Sequence, residues 1–147
     1  MRREEALGRR LVLIPLLTTL LGGCGSLARR VDIDVDPESD RACIDSRSRA
    51  ISVAILGSPE IDVRRIDLHS AELLLPQLGA GGRPDPARAR YEYSNLDAYE
   101  DVVLPFLLAY DTFGTRIGPA TLTAELDDGT AIRGTEDVCV VQDRRRP

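Results

Sequence analysis

The feature that most restricts the fold of this chain is an alternation of apolar and polar residues in short segments, beginning at Val31. Residues 31–36 and 121–126 show it most clearly, because every second side chain is apolar. Side chains that alternate with period two lie on opposite faces of a strand, so the pattern predicts half-buried β-strands. No convincing helical period occurs after residue 30. The sequence therefore predicts an all-β fold, a single Ig-like β-sandwich of about seven strands.

Most of the predicted strands are closed by Pro or Gly, the residues that most often end a strand. These predicted strands span residues 31–36, 51–56, 71–75, 87–93, 102–110, 121–126, 131–133 and 138–141. Residues 127–130 read Asp-Asp-Gly-Thr and predict a hairpin turn. Pro105 cannot donate to a sheet ladder, so it predicts an edge strand or a bulge. The Gly-rich segment 79–86 is interpreted as a flexible connection.

Length and charge restrict the class of protein further. The chain has 147 residues, which suits one domain with a hydrophobic core and not two. Its formal net charge is -5, and all 19 basic residues are Arg. An acidic balance disfavours electrostatic binding of nucleic acid, so no nucleic-acid partner is expected.

The N-terminal segment has the layout of an export signal. Four Arg residues lie within the first ten positions, and an apolar run follows at residues 11–21. A membrane-spanning helix needs about 20 apolar residues, so this shorter run favours a cleaved signal peptide. Residues 21–24 read Leu-Gly-Gly-Cys, which resembles the lipobox of bacterial lipoproteins. The resemblance implies that Cys24 becomes the acylated N-terminus after removal of residues 1–23.

Acylation of Cys24 would make the membrane a partner of this protein through its acyl chains. Residue 25 is Gly and not Asp, so the inner-membrane retention signal of enterobacterial lipoproteins is absent. We therefore expect an exported lipoprotein on the periplasmic face or the surface of the outer membrane. The alternative is an ordinary cleaved signal in which Cys24 has no role.

The two other cysteines, Cys43 and Cys139, form an even pair in an exported chain, and we predict a disulfide between them. In the chain-entropy treatment, closing the loop between positions 43 and 139 stabilises the folded state by about 4 to 5 kcal/mol. The alternatives are two buried free thiols or a pair of metal ligands.

Four segments in order resemble a domain that recurs in secreted and surface-anchored bacterial proteins. Its members read VDIKPGS, a Cys, IPVAILGS, a DVNGDG-type acidic loop and finally GTD with a Cys. The matching segments here are residues 31–33, Cys43, residues 53–58 with 61–63 and 66–67, and residues 128–132 with 134–139. The resemblance covers about residues 31–142. It implies a β-sandwich module with a structural or adhesive role and no established catalytic chemistry.

The acidic loop departs from that family pattern. Related domains place Asp-x-Asn-x-Asp-Gly-x-x-Asp around calcium, because these oxygens surround the ion while Gly permits a sharp turn. Here Tyr93 replaces the first ligand and Ala98 replaces Gly. Asn95, Asp97 and Asp101 are the candidate calcium ligands that are left. A degenerate turn without a cofactor is the preferred interpretation, and a calcium-stabilised binding module is the alternative.

His69 is the only imidazole, so a hydrolase with a His base would depend on it. Its neighbours Asp67 and Ser70 do not form a triad by sequence proximity, since such neighbours seldom have triad geometry. A surface turn is the preferred interpretation of His69, and a small hydrolase is the alternative function.

Other polar and aromatic residues have two interpretations each. One interpretation of Asp32, Asp34 and Asp36 is that they bind a cation. The other is that they form a solvated face that prevents pairing of the strand edge with another chain. The four tyrosines would form a sugar-stacking platform or serve as core and rim: Tyr91, Tyr93, Tyr99 and Tyr110.

The leading hypothesis is a non-catalytic, lipid-anchored envelope protein that acts as a structural or interaction module. Its partners would be the membrane, through Cys24, and an envelope protein or polysaccharide. The predicted organisation is a signal peptide at 1–23, a tether at 24–30, a β-sandwich domain at 31–142 and a flexible basic tail at 143–147.

Overall fold

The protein is described by a computed structural model at residues 27–76, 80–110 and 119–141. The predicted signal peptide, Cys24 and the tail 143–147 lie outside the described residues. The described ranges contain the short 3-10 turns Val63–Arg65 and Pro86–Arg88, and Pro76 is the only other helical residue in them. In these ranges no helix has the length and apolarity needed to cross a bilayer. The all-β class is confirmed.

Eleven strands are described, more than the seven or so predicted, because several are only two or three residues long. In chain order they are β1 (Arg29–Arg30), β2 (Ile33–Val35), β3 (Cys43–Asp45), β4 (Ala50–Ile55), β5 (Ile66–Leu75), β6 (Ala80–Pro84), β7 (Arg90–Glu92), β8 (Asp101–Tyr110), β9 (Ala120–Leu126), β10 (Ala131–Glu136) and β11 (Cys139–Val141). Nine strands form one sheet in the order β1-β10-β9-β5-β6-β8-β4-β2, with β7 also paired to β8. The remaining two, β3 and β11, form a small separate sheet.

The segment from β1 to β2 contacts both outer edges of the large sheet. β1 pairs in parallel with β10, and β2 pairs antiparallel with β4. Between these pairings the Val31 N–H donates to the Arg133 carbonyl at 3.0 Å. A Cβ at Gly134 would lie 2.5 Å from Ile33 Cγ2, so the close approach of the two edges requires glycine there. The large sheet therefore curls until its edges meet, and the predicted tether 24–30 ends in a paired strand.

The hydrophobic core lies inside the curled sheet. Alternation along the strands directs every second side chain inward, as the burial pattern of β9 shows. The largest fully buried side chains are Phe106, Ile44, Ile55, Leu73, Leu75, Leu104, Leu122, Ile132, Val35, Val53, Val63 and Val102. Full burial of one such side chain contributes about 1.5 to 3 kcal/mol to the free energy of unfolding.

Two local predictions are wrong where β8 meets its neighbours. The connection predicted at 79–86 contains β6, which pairs with both β5 and β8. Gly82 permits this, because a Cβ there would lie 3.0 Å from Phe106 Cβ. Pro105 lies in a central strand and not at an edge, since β8 pairs with β4 on one side and with β6 and β7 on the other. Its carbonyl accepts from the Asp85 N–H at 2.8 Å, in the interruption between β6 and β7.

The small sheet carries the predicted disulfide. Cys43 and Cys139 are directly paired in the parallel register of β3 and β11, with their Cα atoms 4.5 Å apart, and the disulfide joins them. The prediction of a Cys43–Cys139 bridge is confirmed, and the alternatives of free thiols or a metal pair are wrong.

Strand directions place the connecting loops at two ends of the domain. Arg29 pairs beside Ile132, next to the hairpin turn at 127–130, where Gly129 has a φ of 79°. β4 runs antiparallel to β2, and the Leu56 N–H donates to the Asp32 carbonyl at 2.9 Å. Residues 29–32, 56–62, 93–100 and 127–130 therefore share one end, which we call the β1 end. The disulfide lies at the opposite end of the domain, because Cys139 follows the last residue of β10, and we call this the disulfide end.

Candidate functional site

A buried carboxylate organises the β1 end. Asp101 is the only buried charged residue in the described ranges, and it is fully buried. Its Oδ1 accepts from the Gly57 N–H at 2.9 Å, and its Oδ2 accepts from the Ser94 N–H at 2.9 Å and the Ser94 hydroxyl at 2.6 Å. Buried polar groups are costly unless hydrogen-bonded, and these three donors satisfy the carboxylate. Asp101 thus ties the loop after β4 to the loop before β8.

Gly57 and the backbone of the 93–100 loop are in direct contact. A Cβ at Gly57 would lie 2.1 Å from the Glu100 carbonyl oxygen and 3.3 Å from Tyr99 Cβ. Real Cβ atoms do not approach a carbonyl oxygen this closely, so any other residue would displace one of the two loops. The Gly-Ser that ends the predicted strand 51–56 is the only sequence signal of this contact.

An ion pair holds Glu100, the last residue of the 93–100 loop. Arg64 donates through Nε to Glu100 Oε2 at 2.6 Å and through Nη2 to Oε1 at 2.8 Å. The same guanidinium lies 4.0 Å from the centroid of the Tyr91 ring. The hydrogen bonds raise the pKa of Arg64 and lower the pKa of Glu100, and the attraction between the two charges acts in the same directions. Sequence reasoning missed this pair because its members are 36 residues apart.

The predicted calcium ligands are not equivalent in the structure. Asn95 Nδ2 donates to Asp97 Oδ2 at 2.8 Å, and Asp97 Oδ1 accepts from the Tyr99 N–H at 2.7 Å. These are Asx-type contacts that shape the turn itself. Asp101 instead directs both oxygens to Gly57 and Ser94, inside the domain. Across 27–76, 80–110 and 119–141, no three His, Cys, Asp or Glu side chains group as a metal site. The calcium hypothesis stays a prediction, with its three ligands already hydrogen-bonded.

The 93–100 loop displays large apolar and aromatic side chains. Tyr93 is 57% exposed, Leu96 is 91% exposed and Tyr99 is 40% exposed. Leu96 also has a φ of 61°, a left-handed conformation that is unusual for a bulky residue. Tyr91 is half-buried under the Arg64 guanidinium, so it does not form a stacking platform with Tyr93 and Tyr99. The Tyr110 side chain lies outside the described part of the structure.

A cleft of about 540 Å³ runs beside this loop. Its lining, which defines the loop cleft, comprises Arg30, Val31, Asp32, Leu56, Gly57, Ser58, Pro59, Glu60, Asn95, Asp97 and Tyr99. Carboxylates, an amide, a guanidinium and a tyrosine ring thus meet in one concavity. The loop cleft places Arg30 close to the 93–100 loop, although 65 residues separate Arg30 from Asn95.

A second cleft, of about 700 Å³, extends from the disulfide along β4 and β8. Its lining, which defines the disulfide cleft, comprises Asp36, Cys43, Ile44, Asp45, Ser48, Ala50, Ile51, Ser52, Arg88, Arg90, Val103 and Pro105. Basic groups come from Arg88 and Arg90, and acidic groups from Asp36 and Asp45. Arg90 also donates to Glu38 at 3.0 Å. A ligand that carries both charges would match this lining.

His69 lies exposed on β5, at the irregularity in pairing between Asp67 and Glu72. Its backbone N–H donates to Asp67 Oδ1 at 3.0 Å. The Ser70 hydroxyl donates to the Asp67 carbonyl at 2.6 Å and accepts from the Glu125 N–H at 2.8 Å. Asp67 and Ser70 therefore shape the bulge in β5, and His69 lines neither cleft. The structure does not bring these three residues together as an acid-base site.

The predicted acidic face of residues 32–36 includes a carboxylate from another strand. The Val35 N–H donates to Glu136 Oε2 at 2.5 Å, which links β2 to β10. Burial raises the pKa of Glu136, and the charge of Asp34 raises it further against the effect of the Val35 hydrogen bond. Burial also raises the pKa of Asp34, assisted by the charge of Asp36. Glu136 was not a candidate in the sequence, because only the curling of the sheet brings it to this face.

Comparisons with known proteins were negative. No family model matches the chain, and no curated protein or solved structure shows a significant match to it. The resemblance to the surface-anchored bacterial domain therefore stays a prediction carried by its four sequence segments.

Proposed function

We propose that this protein is an exported lipoprotein whose β-domain is a non-catalytic interaction module of the bacterial cell envelope. The observation that carries the proposal is the pairing of Cys43 with Cys139. This disulfide uses two of the three cysteines and leaves Cys24 available for acylation. Cys24 follows an apolar run and the residues Leu-Gly-Gly. A single remaining thiol at that position has the chemistry and context of a lipid-acceptor cysteine.

The interaction role is supported by how the exposed regions are built. The described polar networks hold loops and clefts in place, and the only imidazole lies outside both clefts. The disulfide cleft is the larger concavity and carries both cationic and anionic groups. An envelope protein or an acidic or aminated polysaccharide has matching chemistry.

Acylation is tested by growing cells that express the full chain with a clickable fatty acid. We expect label on the wild-type protein and on Gly25→Ala, and no label on Cys24→Ala. Mass analysis of the N-terminal peptide should show cleavage before Cys24 and the added acyl mass. Absence of label on the wild type, or label that survives Cys24→Ala, would refute the anchor.

The interaction role is tested by crosslinking the full chain in its native envelope. Arg88→Ala removes a cation from the disulfide cleft, whereas Arg83→Ala removes an exposed arginine outside it. We expect one specific crosslinked species in the wild type and in Arg83→Ala, and a several-fold loss in Arg88→Ala. Equal crosslinking of both variants would refute binding at this cleft.

A further inference from the structure

We propose that the 93–100 loop contacts the surface of the bilayer in the anchored protein, with Leu96 as its most deeply placed side chain. This inference rests on the proposed anchor at Cys24. It adds an orientation: the β1 end faces the lipid, and the disulfide end faces away from it.

The exposed apolar residues are concentrated at the β1 end. Six large hydrophobic side chains are exposed in the described ranges: Leu27, Leu74, Tyr93, Leu96, Tyr99 and Leu107. Three of them belong to the 93–100 loop, and Leu27, which is 93% exposed, precedes Arg30 by three residues. Clustered exposed apolar side chains mark interaction surfaces, whereas single ones are ordinary.

The loop holds these side chains outward instead of collapsing on the core. Asp101 accepts hydrogen bonds from Ser94 at the start of the loop. At its end, Glu100 contacts Gly57 through its carbonyl and pairs with Arg64 through its side chain. Leu96 is held at a φ of 61°, and such conformations persist only where the surroundings impose them. Because sparsely populated backbone conformations cluster at functional sites, the exposed Leu96 is a candidate contact residue.

The length of the preceding chain identifies the bilayer as the occupant. Four residues lie between Cys24 and Arg29, the first residue of β1, so five Cα-to-Cα steps join the two. Fully extended, these five steps span no more than about 18 Å, at 3.3 to 3.6 Å per residue. Arg30 lines the same cleft as Asn95, Asp97 and Tyr99. An acyl group on Cys24 would therefore hold the loop within reach of the lipid headgroups.

The chemistry of the loop suits a shallow position in a zwitterionic surface. Tyr is enriched at membrane interfaces, where its ring meets the acyl boundary and its hydroxyl meets water. Asp97 and Glu100 would repel anionic headgroups. Both are already satisfied locally, Asp97 by Asn95 and the Tyr99 N–H, and Glu100 by Arg64. We therefore expect contact with phosphatidylcholine-like or phosphatidylethanolamine-like headgroups.

The absence of tryptophan from the sequence makes a direct test possible. The full chain carrying Leu96→Trp is expressed, purified as the cell processes it and reconstituted into phosphatidylcholine vesicles with brominated acyl chains. Leu107→Trp is the matched control, because Leu107 is also exposed, at 57%. It lies about 20 Å along β8 from Asp101, at 3.3 Å per residue. Tyr99→Trp is a second reporter in the loop if Leu96→Trp does not fold.

We expect blue-shifted emission and at least threefold stronger bromine quenching for the loop reporter than for Leu107→Trp. Equal quenching of both reporters, or none of the loop reporter, overturns the inference. Mass analysis of the same samples reports the acyl group on Cys24 separately. If the chain is acylated but the loop is not quenched, the anchor stands and the orientation fails. If the chain is not acylated, the proposed function fails, and quenching of the loop reporter alone still decides whether the loop binds lipid.

Discussion

Asp101 accepts a hydrogen bond from the backbone N–H of Gly57 at 2.9 Å, across 44 residues of sequence. The contact joins a carboxylate at the start of β8 to the glycine that follows β4. It exists because Gly57 lacks a Cβ and so lets the Glu100 carbonyl approach. The pair connects the core of the curled sheet to the loop that displays Leu96.

Replacing Asp101 with Asn should destabilise the protein. One amide oxygen can still accept from Gly57, but the amide NH2 would face the two Ser94 donors. Losing bonds to a buried charged group corresponds to a decrease of about 2 to 4 kcal/mol in the free energy of unfolding. Denaturant unfolding of the full chain measures this decrease in the free energy of unfolding. Asp137→Asn, at an exposed position, should change the free energy by less than about 0.5 kcal/mol, and an equal effect of both would refute the role of Asp101.

Gly57→Ala should decrease stability through steric conflict. The added Cβ would meet the Glu100 carbonyl, and overpacking of this kind costs about 1 to 3 kcal/mol. Gly81→Ala is the matched control, because its Cβ would have no neighbour nearer than the Leu73 carbonyl at 3.8 Å. We expect thermal unfolding of the full chain to show a lower Tm for the first variant and little change for the second. A neutral Gly57→Ala would contradict the contact.

Asp34→Asn should stabilise the protein at neutral pH and not in acid. Burial and the charge of Asp36 raise the pKa of Asp34 above its ordinary value in the folded state. The folded state therefore binds more protons than the unfolded state, and the stability that Asp34 contributes is full below its ordinary pKa and decreases as pH rises through the raised value. The Tm at pH 7 minus the Tm at pH 3 should therefore be more positive in the variant than in the wild type. Asp32→Asn, on the same face but exposed, should leave this difference unchanged.

Calcium should not stabilise the protein. Asp101 is engaged by Gly57 and Ser94, and Asn95 and Asp97 bond to each other, so binding an ion would require breaking these contacts. We expect no change in Tm and no binding heat at millimolar calcium, by scanning and titration calorimetry. A rise in Tm that Asp97→Asn abolishes would revive the calcium-stabilised binding module.

The candidate site was only partly predictable. The spacing of Asn95, Asp97 and Asp101 identified the loop, because short polar motifs follow local backbone geometry. It did not identify the role of Asp101, since whether a carboxylate faces solvent or a buried N–H depends on which distant segment approaches it. Arg64 and Glu136 were missed for the same reason, because their partners Glu100 and Val35 are distant in sequence.

The sequence by itself determined the all-β class, most strand positions and the cysteine pair. Alternation reflects the two faces of a strand, and the predicted acylation of Cys24 left Cys43 and Cys139 as a pair with one partner choice. Only the tertiary structure decided the rest. Pro105 lies in a central strand, and residues 80–84 form a strand that pairs with β8. The segment from Arg29 to Val35 pairs with β10 and with β4, and so closes the curled sheet. These features depend on contacts between residues far apart in the chain, for which local patterns carry no signal.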